Sequence, residues 1–406
     1  MYRRVVVTGM GVISPQATGL PGTWAALVEG RSGIRVLDNV TGPIRVGGPA
    51  DHFDGDAVFG FRDARQYDRY GQLAVVAARE ARAQAGLAGI AGDERWATVV
   101  GTGLGGVASH ESAARALAAG RRSVSAYTSV TTIPSAATAA VALDCGAQGP
   151  AFAPATACAT GTDAIGLAAD LIRAGRADVV LAGAADAPLS AVTLSAFAAV
   201  GAAALGDGDG DPTRLCRPFA ADRTGLVIGE GAAVLVLESA SSARRRGATP
   251  LAEILGYAAR NDAHHLSAPA EDGVVATAAL RAALREARVP PGGVGYINAH
   301  GTGTVRNDRV EARVLAGVFG DATPVSSTKS MTGHLMGATG AVEAAVCVQA
   351  LRTGILPATA NCDQVDPDCA GIDIIRGQAR SAPVAVAVSA SFGFGGYNAV
   401  LVLGRC

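Results

Sequence analysis

Charged and aromatic residues are both scarce in this chain. Of its 406 residues, 17% are charged and 4% aromatic. Lys+Arg 34 against Asp+Glu 35 leaves a formal net charge of -1. There is no global field to draw in nucleic acid or an anionic membrane surface. Strong apolar runs are missing too. One long uncharged stretch, 187–206, is rich in alanine and contains Ser190, Thr193, Ser195 and Gly201. It reads as a buried helix plus loop and not as a membrane span. The opening MYRRVVVTGMGVIS has too short an apolar run for a signal peptide and reads as a first strand. The cysteines number 7, an odd count at irregular spacing, which makes a poor disulfide framework. Cys362 and Cys369 have no histidine nearby, so no zinc site is expected there, nor any metal elsewhere. These absences predict a cytoplasmic protein with reduced thiols.

Nucleotide-binding loops are also lacking. No G-x-x-x-x-G-K-[ST] run occurs. GTGLGG (101–106) follows a strand, but after Glu111 no acidic residue appears until Asp144. A dinucleotide site wants a ribose-binding carboxylate about 20 positions on. The run is expected to be a tight turn with close backbone packing.

What is present is a large globular core, with 49% hydrophobic residues. Apolar runs at 5–9, 97–103, 177–183, 232–238, 293–301, 383–391 and 399–404 read as strands. Several lack alternation, as strands covered on both faces do. Helical patterns lie near 69–86, 162–174, 272–287, 308–317 and 339–352. The alternation predicts an α/β fold with a mostly parallel sheet. A faint internal repeat accompanies it. Strand-like GPAFAPA leads into ATACATGTDAIGLAADLIRAGR, and TPVSSTK leads into SMTGHLMGATGAVEAAVCVQALRTGI. Each is a strand, a glycine-rich loop and an alanine-rich helix ending in Arg-x-Gly. Two similar halves are expected, 1–240 and 241–406, joined near SASSARRRGATP.

Cys158 stands alone among small residues where a helix starts. A helix N-terminus lowers a thiol pKa, which suits a nucleophile, although a free cysteine is more often a small buried hydrophobe. Both readings stay open on this stretch alone. Only six histidines exist. Two lie in glycine-rich turns after strands, His300 in INAHGTGT and His334 in STKSMTGHLMGATG. A thiol and two neutral imidazoles would suit carbon–carbon bond formation by acyl transfer. The sulfur would take the acyl group, and the imidazoles would hold the carbonyl oxygen of a second thioester while an enolate forms.

TACATGTDAIG, RPFAADRTGLVIGEGAAVLVLE, YINAHGTGT, SSTKSMTGH and SFGFGG resemble, in order and spacing, the condensing enzymes of the β-ketoacyl-acyl carrier protein synthase II type. Among these the chain is most similar to the ketosynthase α subunits of bacterial type II polyketide synthases. ADVVLAGAADAPLS and RNDRVE lean toward that branch, and SFGFGG toward fatty-acid enzymes. The resemblance implies a thiolase fold, two similar halves in a five-layer αβαβα sandwich. It implies Cys158 as acylated nucleophile, His300 and His334 as the decarboxylation and condensation pair, and Lys329 as a supporting lysine paired with Glu311. Glu343 would be a structural carboxylate near the site. The N–H groups of Cys158 and Phe394 would form an oxyanion hole, with Phe394 also gating the pocket. Thr302, Thr304 and His265 would meet a phosphopantetheine arm, which arrives on an acyl carrier protein, so no resident cofactor is implied. Arg62, Arg65, Arg121, Arg122 and Arg217 match positions of a carrier-docking patch. The chain would work as a homodimer or as a heterodimer with a chain length factor. Where relatives often carry proline and leucine after the HGTGT loop, this chain has Val305 and Arg306. Ala390 and Tyr397 are further departures near the gate.

Overall fold

The structure, a computed structural model, describes residues 3–38, 40, 42–206 and 210–406. Eleven strands hydrogen-bond in one sheet. They are β1 Val5–Ile13, β2 Trp96–Gly101, β3 Ala151–Phe152, β4 Val179–Asp186, β5 Gly231–Ser239, β6 Ala252–Asn261, β7 Tyr296–Asn298, β8 Pro324–Ser326, β9 Asp373–Ile374, β10 Val386–Gly393 and β11 Tyr397–Gly404. Their spatial order is β9-β8-β7-β10-β11-β6-β1-β5-β4-β2-β3.

This order contains a repeat. Number the first five strands 1 to 5 and their order from the β3 edge is 3-2-4-5-1. The strands β6, β7, β8, β10 and β11, numbered likewise, also run 3-2-4-5-1, with β9 added at the edge. Directions repeat as well. In each set strand 2 is parallel to 3 and 4, while 5 is antiparallel to both 4 and 1. Only two residue pairs join the sets, Val6 with Glu253 and Val7 with Ala252. The sheet is therefore mixed, and the expectation of mostly parallel pairing is corrected. It failed because hairpin-like returns such as β10–β11 look the same as buried parallel strands when both faces are covered.

Six helices fix the layers. They are α1 Arg69–Gln84, α2 Thr160–Arg173, α3 Ala191–Ala199, α4 Val274–Ala287, α5 Val305–Phe319 and α6 Thr339–Thr353. α1 covers β1 and β5 from outside, and α4 covers β6 and β11. Between the two strand sets lie α2 and α6, packed on each other and on strands of both sets. The layers run α, β, α, β, α. Glycine permits the tight outer contact. A Cβ at Gly9 would fall 2.1 Å from the Ala81 carbonyl oxygen, and one at Gly11 2.0 Å from that of Ala77. Alanine on the helix and glycine on the strand let backbones meet, which explains why the helical runs are alanine-rich.

Two further expectations change. β6 passes unread in the sequence because its exposed end, 259–261, mixes polar and apolar residues. The uncharged stretch 187–206 does hold a helix, α3, but it is not buried throughout. Thr193 and Leu194 face inward, while Val192 is 65% exposed. Among the described residues no helix is long and apolar enough to cross a membrane.

Candidate active site

Cys158 lies in a single 3₁₀ turn, Ala157–Ala159, that runs into α2. Ala157 just before it has φ +50°, the left-handed region that non-glycine residues avoid at a cost of about 1 kcal/mol. The bend brings the sulfur to the start of the helix and to the floor of a cavity of about 350 Å³. His300 and His334 line the same cavity. The sulfur and one ring nitrogen from each histidine lie within 4.8 Å of one another. The imidazoles stand edge to face, with centroids 5.4 Å apart at 87°.

Each histidine is held by backbone-directed bonds. His300 sits on the loop after β7. Glu311 on α5 accepts the N–H groups of His300 at 2.6 Å and Gly301 at 2.7 Å. Asp308, one turn earlier, accepts from Thr302 and Gly303 and also from the buried Phe219 N–H at 2.8 Å. RNDRVE thus supplies two carboxylates that cradle the HGTGT loop. At His334 the Met336 N–H donates to Nδ1 at 3.0 Å. A nitrogen that accepts carries no hydrogen, so the neutral ring bears its proton on Nε2. That Nε2 is buried and has no partner. It is a donor left free at the reacting centre.

Burial and charge set the protonation states. Both histidine pKa values are held well below the usual range, first by burial and then by the positive charge of Lys329. The rings are neutral at pH 7. Burial pushes the Cys158 thiol up to about 11, against the opposing pull of the Phe394 N–H and the Lys329 charge. This corrects the expectation that the helix start would lower it. Desolvation wins because Cys158 as a whole is only 8% exposed. At rest the site therefore holds a thiol and two neutral bases.

Lys329 is fully buried and its Nζ lies 2.6 Å from Glu343 Oε1. The expected pairing with Glu311 is corrected. Glu311 is already bonded to the His300 loop, while α6 carries Glu343 up to the lysine. Burial raises Glu311 and Glu343 to about 7 each. Lys329 is also the chain's one lysine among 34 basic residues, a compositional signal for its role that sequence reading passed over.

Phe394 stacks on Phe197 of α3 at 6.0 Å and 17° and lines the cavity. Gly393 beside it leaves little room for a side chain, since a Cβ would fall 3.1 Å from the Cys158 nitrogen. Thr302 and Thr304 line the cavity with their hydroxyls 2.9 Å apart. His265 does not join them. It is exposed and accepts the Ser267 N–H, and the wall there is formed by Asp262, Ser267, Ala268 and Pro269. Sequence reading missed the cavity roles of Phe197 and Val200, because an uncharged alanine-rich stretch carries no chemical mark. It also missed Asp186. That buried carboxylate accepts from Thr102 Oγ1 and from the N–H groups of Gly103, Leu104 and Gly337. GTGLGG is therefore a turn wound around a carboxylate. Of the five arginines, Arg62, Arg121 and Arg122 are exposed and form no ion pair among the described residues. Arg65 lies over the Phe61 ring at 3.5 Å, and Arg217 is paired with Asp222.

Comparison with known proteins agrees with this geometry. Residues 2–243 match the family described as Beta-ketoacyl synthase, N-terminal domain, and residues 251–363 match Beta-ketoacyl synthase, C-terminal domain. A 3-oxoacyl-[acyl-carrier-protein] synthase 2 of Staphylococcus aureus is 40% identical over 98% of both chains. The tetracenomycin polyketide synthase ketoacyl synthase alpha subunit of Streptomyces glaucescens is 39% identical over 99% of this chain and 97% of its own length. The solved ishigamide ketosynthase/chain length factor is 36% identical, with a TM-score of 0.92 over the whole of both chains. The fold is the thiolase fold of such ketosynthases, and the chain belongs to the β-ketoacyl synthase family of condensing acyltransferases.

Proposed function

We propose that this chain joins a Cys158-bound acyl group to malonyl-acyl carrier protein with loss of carbon dioxide, giving a β-ketoacyl-acyl carrier protein in type II polyketide or fatty-acid synthesis. The observation that carries this is the convergence of one sulfur and two neutral imidazoles within 4.8 Å. In the first half-reaction the Cys158 thiol gives its proton to a neutral imidazole as sulfur attacks the acyl thioester. The bond to the arm's sulfur breaks, and that sulfur leaves with the proton. The malonyl thioester then enters. His334 Nε2–H, with His300, donates to its carbonyl oxygen. The carboxylate departs as carbon dioxide and its bonding pair moves to the α-carbon, forming an enolate. That carbon attacks the acyl-Cys158 carbonyl. The N–H groups of Cys158 and Phe394 hold the oxyanion, the C–S bond breaks, and the departing thiolate takes from solvent the one proton the reaction consumes overall.

Imidazolium rings would hold a positive charge the buried site disfavours and would leave no base for the thiol. The lowered histidine values support this assignment. The exposed arginines 62, 121 and 122 offer an acidic carrier protein local positive charge despite the neutral total. Ala151 and Phe152 of β3 form an exposed sheet edge, which suits pairing with a second protomer, either a copy of this chain or a chain length factor.

Intact-protein mass tests the reading. Incubation with an acyl-acyl carrier protein should add one acyl mass, lost in Cys158→Ala and discharged by malonyl-acyl carrier protein. No gain from wild type, alone or with a candidate partner subunit, would overturn it.

A further inference from the structure

Arg306 is a charge without a counterpart. It occupies the second position of α5, is exposed, and lines the cavity that holds Cys158. Among the described residues it forms no ion pair and no side-chain hydrogen bond. The other charged residue of the rim, Asp262, is committed elsewhere. Its oxygens accept from Asn398 Nδ2 at 2.7 Å and the Ala270 N–H at 3.1 Å. The cavity lining therefore offers one guanidinium whose donors are all free, on a run where Thr302 and Thr304 also line the wall.

The chemistry of a phosphopantetheine arm has a fixed order. The thioester sits at the tip, two amides follow, and the phosphodiester lies farthest from the sulfur. The cavity lining changes in the same sense, from the buried Cys158 and Thr302 through the half-buried Thr304 to the exposed Arg306. We infer that Arg306 is a substrate-positioning residue that holds the phosphodiester of the arm at the cavity mouth. This rests on the function proposed above. A guanidinium binds a phosphate through paired N–H donors, which a neutral side chain cannot replace. Such a contact at a solvated mouth acts on capture of the arm and leaves the bond-making steps alone.

The test compares Cys158 acylation by acyl-phosphopantetheine with that by acyl-pantetheine, which differs only in lacking the phosphate. Rates are read by intact mass on wild type, Arg306→Leu and Arg306→Lys, with acyl-acyl carrier protein run as a third donor. Wild type should prefer the phosphorylated donor by about five- to tenfold. Arg306→Leu should lose that preference while its rate with acyl-pantetheine stays unchanged, and Arg306→Lys should keep part of it. Equal loss with both donors, or none with either, would overturn the assignment. So would a loss seen only with acyl-acyl carrier protein, which would place the arginine against the carrier's own side chains. A wild type acylated by none of the three donors would instead sink the proposed function, and this inference with it.

Discussion

Replacing Lys329 by methionine removes the one cation from a buried cluster that holds two carboxyl groups. The lysine is fully buried and 2.6 Å from Glu343. Breaking a buried pair by deleting one partner costs about 3–5 kcal/mol when the other charge is stranded. Here the stranded group has an escape. Glu343 sits at about 7 even with the lysine beside it, so without that charge its folded value rises further and it takes up a proton. A carboxyl raised above its unfolded value contributes stability fully present below the unfolded pKa and lost as pH rises through the folded one. Between the unfolded value and about pH 7, Glu343 is protonated in both proteins and the difference is flat. Above pH 7 wild type releases the proton and the variant keeps it. The gap then widens by about 1.4 kcal/mol per pH unit, and by at most about twice that if Glu311, in the same field, follows. Urea midpoints at fixed protein concentration, taken from about pH 6 to pH 9, read this directly. A gap that does not change with pH would refute the reasoning. The same variant has a second readout. Lys329 helps hold both histidines below their usual range, so the acid limb of condensation should move toward neutral pH.

Other consequences are simpler to state. Because Lys329 is the chain's one lysine and is fully buried, an amine-selective acylating reagent should spare position 329 in the folded protein and mark it after unfolding. Peptide mapping that finds the label there in native buffer would contradict the burial. The Cys158 thiol at about 11 should alkylate with iodoacetamide at a rate rising about tenfold per pH unit from pH 7 to about 10. A plateau near neutral pH, read on the Cys158 peptide, would mean a stabilised thiolate. Asp186→Ala should leave the Gly337 N–H and the Thr102 hydroxyl buried, and the Gly103 N–H half-buried, without their acceptor, costing about 3 kcal/mol or more. An unshifted melting curve would show that the GTGLGG turn does not depend on that carboxylate.

The chemistry of this protein is more legible in its sequence than its pairing. Cys158, His300 and His334 stand out because each breaks the expectation for its surroundings: a thiol among small residues, imidazoles among glycines. Their neighbours impose no competing role. Strand direction left no such mark. β10 and β11 are covered on both faces over most of their length, so nothing in their composition distinguishes a hairpin return from a crossover. Ion pairing was equally hidden. Glu311 and Glu343 both lie on helices near the lysine, and the choice between them depends on which backbone N–H groups Glu311 already serves. The thiol's protonation state turned on depth. The helix start was visible at residue 160, but the burial that overrides it comes from β10 and the Phe394 turn, far along the chain.

The repeat explains why the two halves of the scaffold are not interchangeable. The sequence carries Ala-Thr-Gly at 159–161 and again at 338–340. In the fold these triplets open α2 and α6, the two central helices, and each follows a 3₁₀ turn with a left-handed residue at φ +50°, Ala157 in one case and Met336 in the other. The two glycines let the helices cross. A Cβ at Gly161 would fall 2.4 Å from the Ala341 nitrogen, and one at Gly340 2.2 Å from Thr162 Oγ1. The two bends are thus the same device, but they hold different residues at the same step. The first presents Cys158 to the cavity. The second places Gly337, whose N–H donates to Asp186 at 2.7 Å. A side chain at position 337 would strike Gly103 at 2.5 Å, so this bend cannot host a second nucleophile. One bend carries the sulfur, and the other ties the second half to the GTGLGG turn while the loop just before it delivers His334. The backbone duplicates a strained helix start, and close packing at the second copy leaves only the first free for chemistry.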